Sequence, residues 1–241
     1  MSSLTEAIHA IHSRRPRTVA VLTGAGVSAD SGIPTFRGPG GLWRNFQPQD
    51  LATPRAFAHD PLLVWEWYEW RRGLIREAQP NAAHEAIARL PDAHIVTQNV
   101  DGLHARAGSR NITELHGNIF RVRCVREGTR TVREHAFADL PPHCECGALL
   151  RPDVVWFGEP LDHEALALAA TAAASADLVL IIGTSGLVYP AAGLSELAKG
   201  LTIEINPDVS GDVSPHVQHY VAERAAVATP QIIEAILEAR A

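Results

Sequence analysis

The chain has 241 residues, of which 46% are hydrophobic and 20% charged, and a formal net charge of −6. That length can bury a full core and suits one α/β domain with a smaller module, while the negative balance argues against nucleic acid or anionic lipid as a principal partner, leaving Arg71-Arg72 and Arg121 to Arg126 as local basic clusters. No run approaches the ~20 apolar residues of a membrane span, the start Met1-Ser2-Ser3-Leu4-Thr5-Glu6 has no basic region ahead of an apolar one, and three cysteines make no disulfide framework, so a soluble cytoplasmic protein with reduced thiols is expected.

The apolar run Thr18 to Leu22 reads as a buried strand and opens directly into Thr23-Gly24-Ala25-Gly26-Val27-Ser28-Ala29-Asp30-Ser31-Gly32. A glycine-rich turn after such a strand can press backbone N–H groups against phosphate. Gly24, Gly26 and Ala29 fit the G-x-G-x-x-G/A dinucleotide fingerprint, but the second strand ending in an acidic residue is missing, and a loop from Ile33 to Trp43 stands in its place. On these residues alone, a tight turn without a ligand remains open. Pro39 to Arg76 is rich in Trp and Phe and mostly helical. Within it the helix Pro61 to Arg72 sets Tyr68 and Arg71 three apart on one face, with Trp67, Trp70 and Leu74 on a separate packing stripe. A phenol beside a guanidinium can bind a carboxylate; equally, Arg71 can pair with a nearby glutamate while Tyr68 fills the core.

Pro80 to Ile87 is a capped helix feeding the strand His94 to Thr97. There follow Gln98-Asn99-Val100-Asp101-Gly102-Leu103-His104 and then Glu114-Leu115-His116-Gly117-Asn118, which bring amides, a carboxylate and imidazoles to predicted strand ends. Gln98, Asn99 and Asp101 can be plain turn formers and His116 a packed histidine, but an imidazole also suits proton transfer near neutrality. Arg121 to Arg151 holds all three cysteines and has no clear period. Beyond it lie a helix from Glu164 to Ser175 and the strands Leu178 to Ile182 and Leu201 to Ile205, which run into Gly183-Thr184-Ser185 and Asn206-Pro207-Asp208. Those groups suit ribose hydroxyls and phosphates, and they equally suit helix caps. Thr229-Pro230 predicts a final helix with proline at its first position.

Strands buried on both faces and alternating with helices imply a parallel doubly wound α/β sheet formed by 1–38, 77–120 and 152–241, with 39–76 and 121–151 inserted as a smaller lobe. In such sheets the ligand lies beyond the carboxyl ends of the strands, so the turns after Leu22, Thr97, Ile182 and Ile205 should line the cleft.

Gly-Ala-Gly-Val-Ser at Gly24 to Ser28, Gln-Asn-Val-Asp at Gln98 to Asp101, Leu-His-Gly at Leu115 to Gly117, Arg-Pro-Asp-Val-Val-Trp-Phe-Gly-Glu at Arg151 to Glu159, Gly-Thr-Ser and Glu-Ile-Asn together resemble the sirtuins, NAD-dependent protein lysine deacylases, in family order over nearly the whole chain. The resemblance implies a Rossmann-type NAD domain, a helical and zinc-ribbon-like small lobe, and an acyl-lysine protein or peptide in the cleft between them. The NAD site would then draw on Gly24, Ala25, Gly26, Ser28, Ala29, Gly32, Ile33, Pro34, Thr35, Phe36, Arg37 and Trp43. It would further draw on Gln98, Asn99, Val100 and Asp101, on Gly183, Thr184 and Ser185, on Asn206, Pro207 and Asp208, and on the Ala225 backbone just before the last helix. Val154-Val155-Trp156-Phe157-Gly158 resembles the family's substrate strand. By the same resemblance His116 is the general base on a ribose hydroxyl, Asn99 and Asp101 orient ribose and nicotinamide, and the products are lysine, nicotinamide and O-acyl-ADP-ribose.

The Tyr-x-x-Arg of Tyr68 and Arg71, together with Asp50-Leu51-Ala52-Thr53-Pro54, resembles the sirtuins that remove succinyl, malonyl or glutaryl groups, with Ala52 leaving room for the longer chain. The family usually holds a structural zinc with two pairs of cysteines. This chain has Cys124, then Glu127 at the next expected position, then Cys144 and Cys146, so Glu127 or His143 is the candidate fourth ligand; otherwise the lobe is held by packing alone. A dehydrogenase would leave His116 and the Gln98 to Asp101 turn without purpose, whereas an ADP-ribosyltransferase or a non-catalytic ADP-ribose binding module would share the pocket.

Overall fold

The structure, a computed structural model, describes residues 3–35, 47–184, 191–207 and 216–241. Helix α1 (Leu4–Arg14) is opened by a reciprocal cap in which the Glu6 amide donates to Ser3 and the Ser3 amide to the Glu6 carboxylate. Strand β1 (Val19–Thr23) leads into a 3-10 turn, Ala25–Ser31. Three helices follow, α2 (Pro48–Leu51), α3 (Pro54–His59, capped by Thr53) and α4 (Pro61–Glu77, capped by Asp60), each with proline at or next to its start. Next come α5 (Ala82–Ala88), β2 (His94–Thr97), α6 (Leu103–Arg106) and β3 (Ile112–Glu114), then β4 (Gly117–Cys124), β5 (Arg130–Val132) and β6 (Leu150–Val154). The chain closes with α7 (His163–Ser175), β7 (Leu178–Ile182), β8 (Leu201–Ile205), β9 (His219–Val221) and α8 (Ala225–Arg240). No helix among the described residues is long and apolar enough to cross a membrane.

The main sheet runs β3-β2-β1-β7-β8-β9, parallel throughout. Alternation splits each strand between two cores. Val19 and Val21 face Ala7 and Ile11 of α1, Ala83 and Ile87 of α5, and Ile232 and Ile236 of α8; Ala20 and Leu22 face Ala169 and Ala172 of α7. From β1 the chain builds outward through β2 and β3, then returns to β7 on the opposite side. Strand order therefore reverses between β1 and β7, and a crevice opens past their carboxyl ends.

The second sheet, β5-β4-β6, is antiparallel, and α4 packs against β4 with a core of its own that includes Trp65, Ile119, Val122 and Leu150. This orders part of the segment from Arg121 to Arg151 in which the sequence shows no period. Three further sequence expectations are corrected. The last helix starts at Ala225, not Thr229, so Pro230 lies inside it and Ala225 is its first residue. One missing N–H near the helix start is outweighed by burial of Ala225, Ala228, Ile232, Ile233 and Ile236. β6 ends at Val154; Val155 and Trp156 are irregular, and Phe157 and Gly158 form a turn, not a strand. Finally, β9 widens the sheet beyond the strands that the sequence predicts, whereas β3 is the strand whose end at Glu114 the sequence sets beside that of Thr97.

Arg72 ties α4 to the second sheet. Its side chain is wholly buried, yet it donates to the carbonyls of Ile119 at 2.8 Å and His135 at 2.8 Å, to that of Arg133, and pairs with Glu69 at 2.9 Å. A planar fork can serve these separate acceptors at once, whereas a lysine ammonium cannot. Arg72→Met should therefore destabilise the protein by about 3–5 kcal/mol, the scale for breaking a buried charged network, and Arg72→Lys should recover little of it. Equilibrium urea unfolding followed by circular dichroism checks this; unchanged midpoints would show that the bonds are redundant.

Candidate functional site

At the crevice, the turns after β1 and β7 meet backbone to backbone. The Gly26 amide donates to the Gly183 carbonyl at 2.9 Å and the Gly24 amide to Ile182 at 3.1 Å. A Cβ on Gly26 would lie 2.7 Å from Gly183 Cα, and one on Gly183, whose φ is +60°, would lie 2.4 Å from the Val27 nitrogen. The glycine pattern thus serves the packing of two turns before it serves any phosphate. Ala25 begins the 3-10 turn, Ala29 is exposed on it, Gly32 caps it with φ +79°, and Ile33 is buried just ahead of Pro34 and Thr35.

The stretch after β2 folds back on this turn. Asn99 Nδ2 donates to the Gly24 carbonyl at 3.0 Å and to Ser28 Oγ at 3.2 Å, Ser28 Oγ donates to Asp101 Oδ2 at 2.8 Å, and the Leu103 amide donates to Asp101 Oδ1 at 2.9 Å. Burial pushes the Asp101 carboxyl up, against the Leu103 and Ser28 hydrogen bonds and the positive charges of Arg71 and Arg106. Val100 is buried, and its carbonyl accepts from Ile119 at 2.9 Å. Behind them lies a polar row that motif reading does not find. Thr23 Oγ1 donates to Thr97 Oγ1 at 2.9 Å, His104 Nε2 lies 3.0 Å from Thr23 Oγ1, and the His84 and His104 rings are 4.8 Å apart. Burial pushes His104 down to about 3 and His84 down to about 4, so both imidazoles are neutral. The sequence signals for this row are the pair of threonines that end β1 and β2 and His104 in the stretch after β2; His84 has none.

His116 precedes β4. Its Nδ1 lies 2.9 Å from the Gln98 carbonyl, which can only accept, so Nδ1 carries the proton and Nε2 keeps its lone pair. Burial lowers its pKa from the ordinary 6.5, partly offset by that hydrogen bond. The His116 carbonyl accepts from Val155 at 3.0 Å, which fixes the histidine to the turn after β6.

Tyr68 and Arg71 share a face of α4. The Arg71 guanidinium sits 4.7 Å from the Trp67 ring centre and 5.7 Å from that of Tyr68, and Arg71 and Asp101 feel each other's charge. Glu69, the glutamate open to Arg71 in the sequence, is taken by Arg72 at 2.9 Å and Arg76 at 2.9 Å. Tyr68 is 1% exposed, so it does fill the core. Its oxygen accepts from Trp156 Nε1 at 2.9 Å, and burial pushes the phenol pKa up, which keeps the hydroxyl protonated. The Phe157 amide donates to the Ala52 carbonyl at 2.9 Å and the Trp156 amide to Glu159 at 2.9 Å, so these turn amides are already bonded within the chain. Val154 and Trp156 are buried, Phe157 is half exposed, and Gly158 has φ +86°.

Asn206, after β8, donates from Nδ2 to the Thr184 carbonyl at 2.9 Å and ties that turn to the one after β7, with Pro207 beside it. Ala225 is buried at the start of α8. Phe36, Arg37, Trp43, Ser185 and Asp208 lie outside the described residues. In the second lobe, one donor atom each from Cys124, Glu127, Cys144 and Cys146 lies within 4.8 Å of all the others, a donor set that suits zinc. The hydrogen bond from the Glu127 amide lowers the Cys124 thiol pKa, while burial and the neighbouring thiols push that of Cys146 up.

Residues 24–190 match the Sir2 family. The chain is 50% identical over 228 residues to NAD-dependent protein deacylase 2 of Pyrobaculum aerophilum, covering 91% of each chain, and 48% identical over 237 residues to an NAD-dependent protein deacylase of Thermococcus kodakarensis, covering 92% of each. A Sir2 homolog–NAD complex superposes with TM-score 0.90 at 43% identity, covering 98% of this chain and 95% of that one. A Sir2–p53 peptide–NAD+ structure superposes with TM-score 0.82 at 29% identity, covering 95% of both. With a match of this extent in sequence and in fold, the chain belongs to the Sir2 family.

Proposed function

We propose that the protein is an NAD-dependent protein lysine deacylase that removes succinyl and malonyl groups as well as acetyl, giving free lysine, nicotinamide and O-acyl-ADP-ribose. The observation that carries this reading is His116, with its proton on Nδ1 and its Nε2 lone pair unspent, next to a turn that gathers Asn99, Ser28 and Asp101. The names of the relatives support NAD as cosubstrate, which supplies the ribose carbon from which nicotinamide departs. In this reading the turns at Gly24 to Thr35, Gly183 to Thr184 and Asn206 to Pro207, with Ala225, hold its ADP-ribose portion. Phe36, Arg37, Trp43, Ser185 and Asp208 are assigned to the same site on the sequence resemblance. Asn99 and the Asp101 carboxylate orient ribose and nicotinamide while positive charge develops on the sugar, and His116 takes the proton of a ribose hydroxyl.

The substrate peptide lies along Val154 to Gly158, between the main sheet and a small lobe made from 39–76 and 121–151. The shared core of Leu51, Phe57, Trp65, Val122 and Leu150 supports that division. An acyl carboxylate entering toward Tyr68 and Arg71 loses its water shell, and only a cationic partner with a phenol O–H offsets that loss. Reduced cysteines fit a cytoplasmic setting.

Mass spectrometry of matched succinyl- and acetyl-lysine peptides tests class and selectivity together. NAD-dependent loss of succinyl above acetyl, abolished in His116→Ala, is expected; turnover without NAD, or label carried onto protein, would favour another reading. Because a charge-assisted hydrogen bond is worth roughly 1.5–3 kcal/mol, Arg71→Met should lower desuccinylation about 10- to 100-fold and spare deacetylation. Equal losses on both peptides would remove the acyl pocket from the account. The pH profile tests His116 separately. A base whose pKa is lowered stays neutral down to more acidic pH, so the acid limb of kcat/KM should fall below pH 6.5. A limb above that value would assign the titration to another group.

A further inference from the structure

The cysteine cluster is built from two turns of related design, the first one residue longer than the second. Cys124 ends β4; the Gly128 amide then donates to the Cys124 carbonyl at 3.0 Å, and Gly128 has φ +70°. In the hairpin before β6 the Gly147 amide donates to the Cys144 carbonyl at 2.8 Å, and Gly147 has φ +81°. Each turn thus begins on a cysteine and ends on a glycine in the left-handed region, where a side chain other than glycine is disfavoured. The residue just before that glycine supplies a donor to the cluster in both: Cys146 in one turn, Glu127 in the other.

We propose that Glu127 is the fourth ligand of a Cys3Glu zinc site, its carboxylate standing where a second thiolate of the first turn would stand. The donor atoms of Cys124, Glu127, Cys144 and Cys146 lie within 4.8 Å of one another, and Cys124 Sγ is 3.5 Å from Cys146 Sγ. Tetrahedral zinc with Zn–S near 2.3 Å and Zn–O near 2.1 Å sets ligand atoms roughly 3.6 to 3.8 Å apart, so small side-chain shifts complete the geometry. The Glu127 amide donates to Cys124 Sγ at 3.4 Å, which places the residue at the metal by its backbone as well as by its carboxylate. His143, the competing candidate, is exposed and pairs through its backbone with Leu149, outside this group of donors.

An oxygen ligand has a physical consequence. Glu127 is exposed while Cys124 is buried, so the carboxylate forms the solvent side of the site and is the first ligand that water or a chelator displaces. The metal then acts as a clamp between the two turns that is weaker than one made by four thiolates. The apolar core around Trp65, Val122 and Leu150 remains to hold the lobe when the metal leaves.

The test uses the full chain, stripped by chelator under reducing conditions and titrated with zinc and with cobalt. The expected result is one equivalent bound, with a tetrahedral cobalt spectrum. Glu127→Ala should lower zinc affinity by at least roughly tenfold, the scale already seen when groups that merely hold a ligand in place are removed, and leave the thiolate charge-transfer intensity unchanged. Glu127→Cys should raise that intensity and tighten binding, and His143→Ala should change neither. Circular dichroism confirms that each variant is folded. Binding by Glu127→Ala equal to that of the unaltered chain, weakening by His143→Ala in its place, or no stoichiometric metal at all would overturn the assignment.

Discussion

The contact between the turns after β1 and β7 is the constraint on which the rest depends. These turns come from residues about 160 apart in the chain, yet no Cβ fits between them at Gly24, Gly26 or Gly183. Because they close on each other, the strand ends are drawn together at the point where the sheet order reverses, and the crevice becomes a floor of peptide groups. Asn99 then fastens the turn after β2 to the same floor through the Gly24 carbonyl. Three strand ends share one set of hydrogen bonds, and the polar groups that follow them have no choice of position.

Register carries this order into the chemistry. Thr23 and Thr97 are direct neighbours in the β1–β2 pairing, both with buried side chains, and their hydroxyls bond to each other. Thr97 Oγ1 also accepts the Asn99 amide at 3.0 Å, so the register of two strands sets the height of Asn99 above the sheet. A slip of β2 by one residue would turn the Thr97 hydroxyl to the opposite face and break its bond to Thr23. Burial leaves the histidines behind the site neutral, and it works against the charge of Asp101 and of Arg71, which the attraction between those two groups opposes. In a medium of low dielectric that attraction is worth more than it would be in water, and it joins α4 to the turn after β2.

Long, β-branched strands and their turns are legible in the sequence because burial on both faces leaves a continuous apolar signature; all four strands predicted from it are present. β9 has three residues and lies at an edge, too short to leave a pattern, and β3, equally short, is signalled only by the polar groups at its end. The start of α8 is misread because a local preference of proline competes with packing that only the folded chain supplies. The tie that Arg72 makes to the second sheet and the contact of His84 with Ser28 are invisible for a related reason: those partners are backbone carbonyls or groups more than forty residues away, and a carbonyl has no sequence signature. At the cysteines the sequence leaves Glu127 and His143 equal, and the fold separates them by bringing only Glu127 among the thiols.

Tyr68 is held stiffly on α4, and that stiffness comes from behind it. Glu159 binds both terminal nitrogens of Arg151 at 2.6 and 2.8 Å and also takes the Trp156 amide, while the Arg151 guanidinium lies 3.5 Å over the Trp156 ring. Burial works against the Glu159 charge, but Arg151 and the Trp156 amide hold its carboxyl below the usual range, so the clamp persists through neutral pH. Trp156, fixed by its backbone and its ring face, presents Nε1–H to the Tyr68 oxygen. That oxygen is then an acceptor on the tryptophan side, and its one hydrogen must point elsewhere. The clamp therefore decides, acting through Trp156, in which direction the phenol can donate.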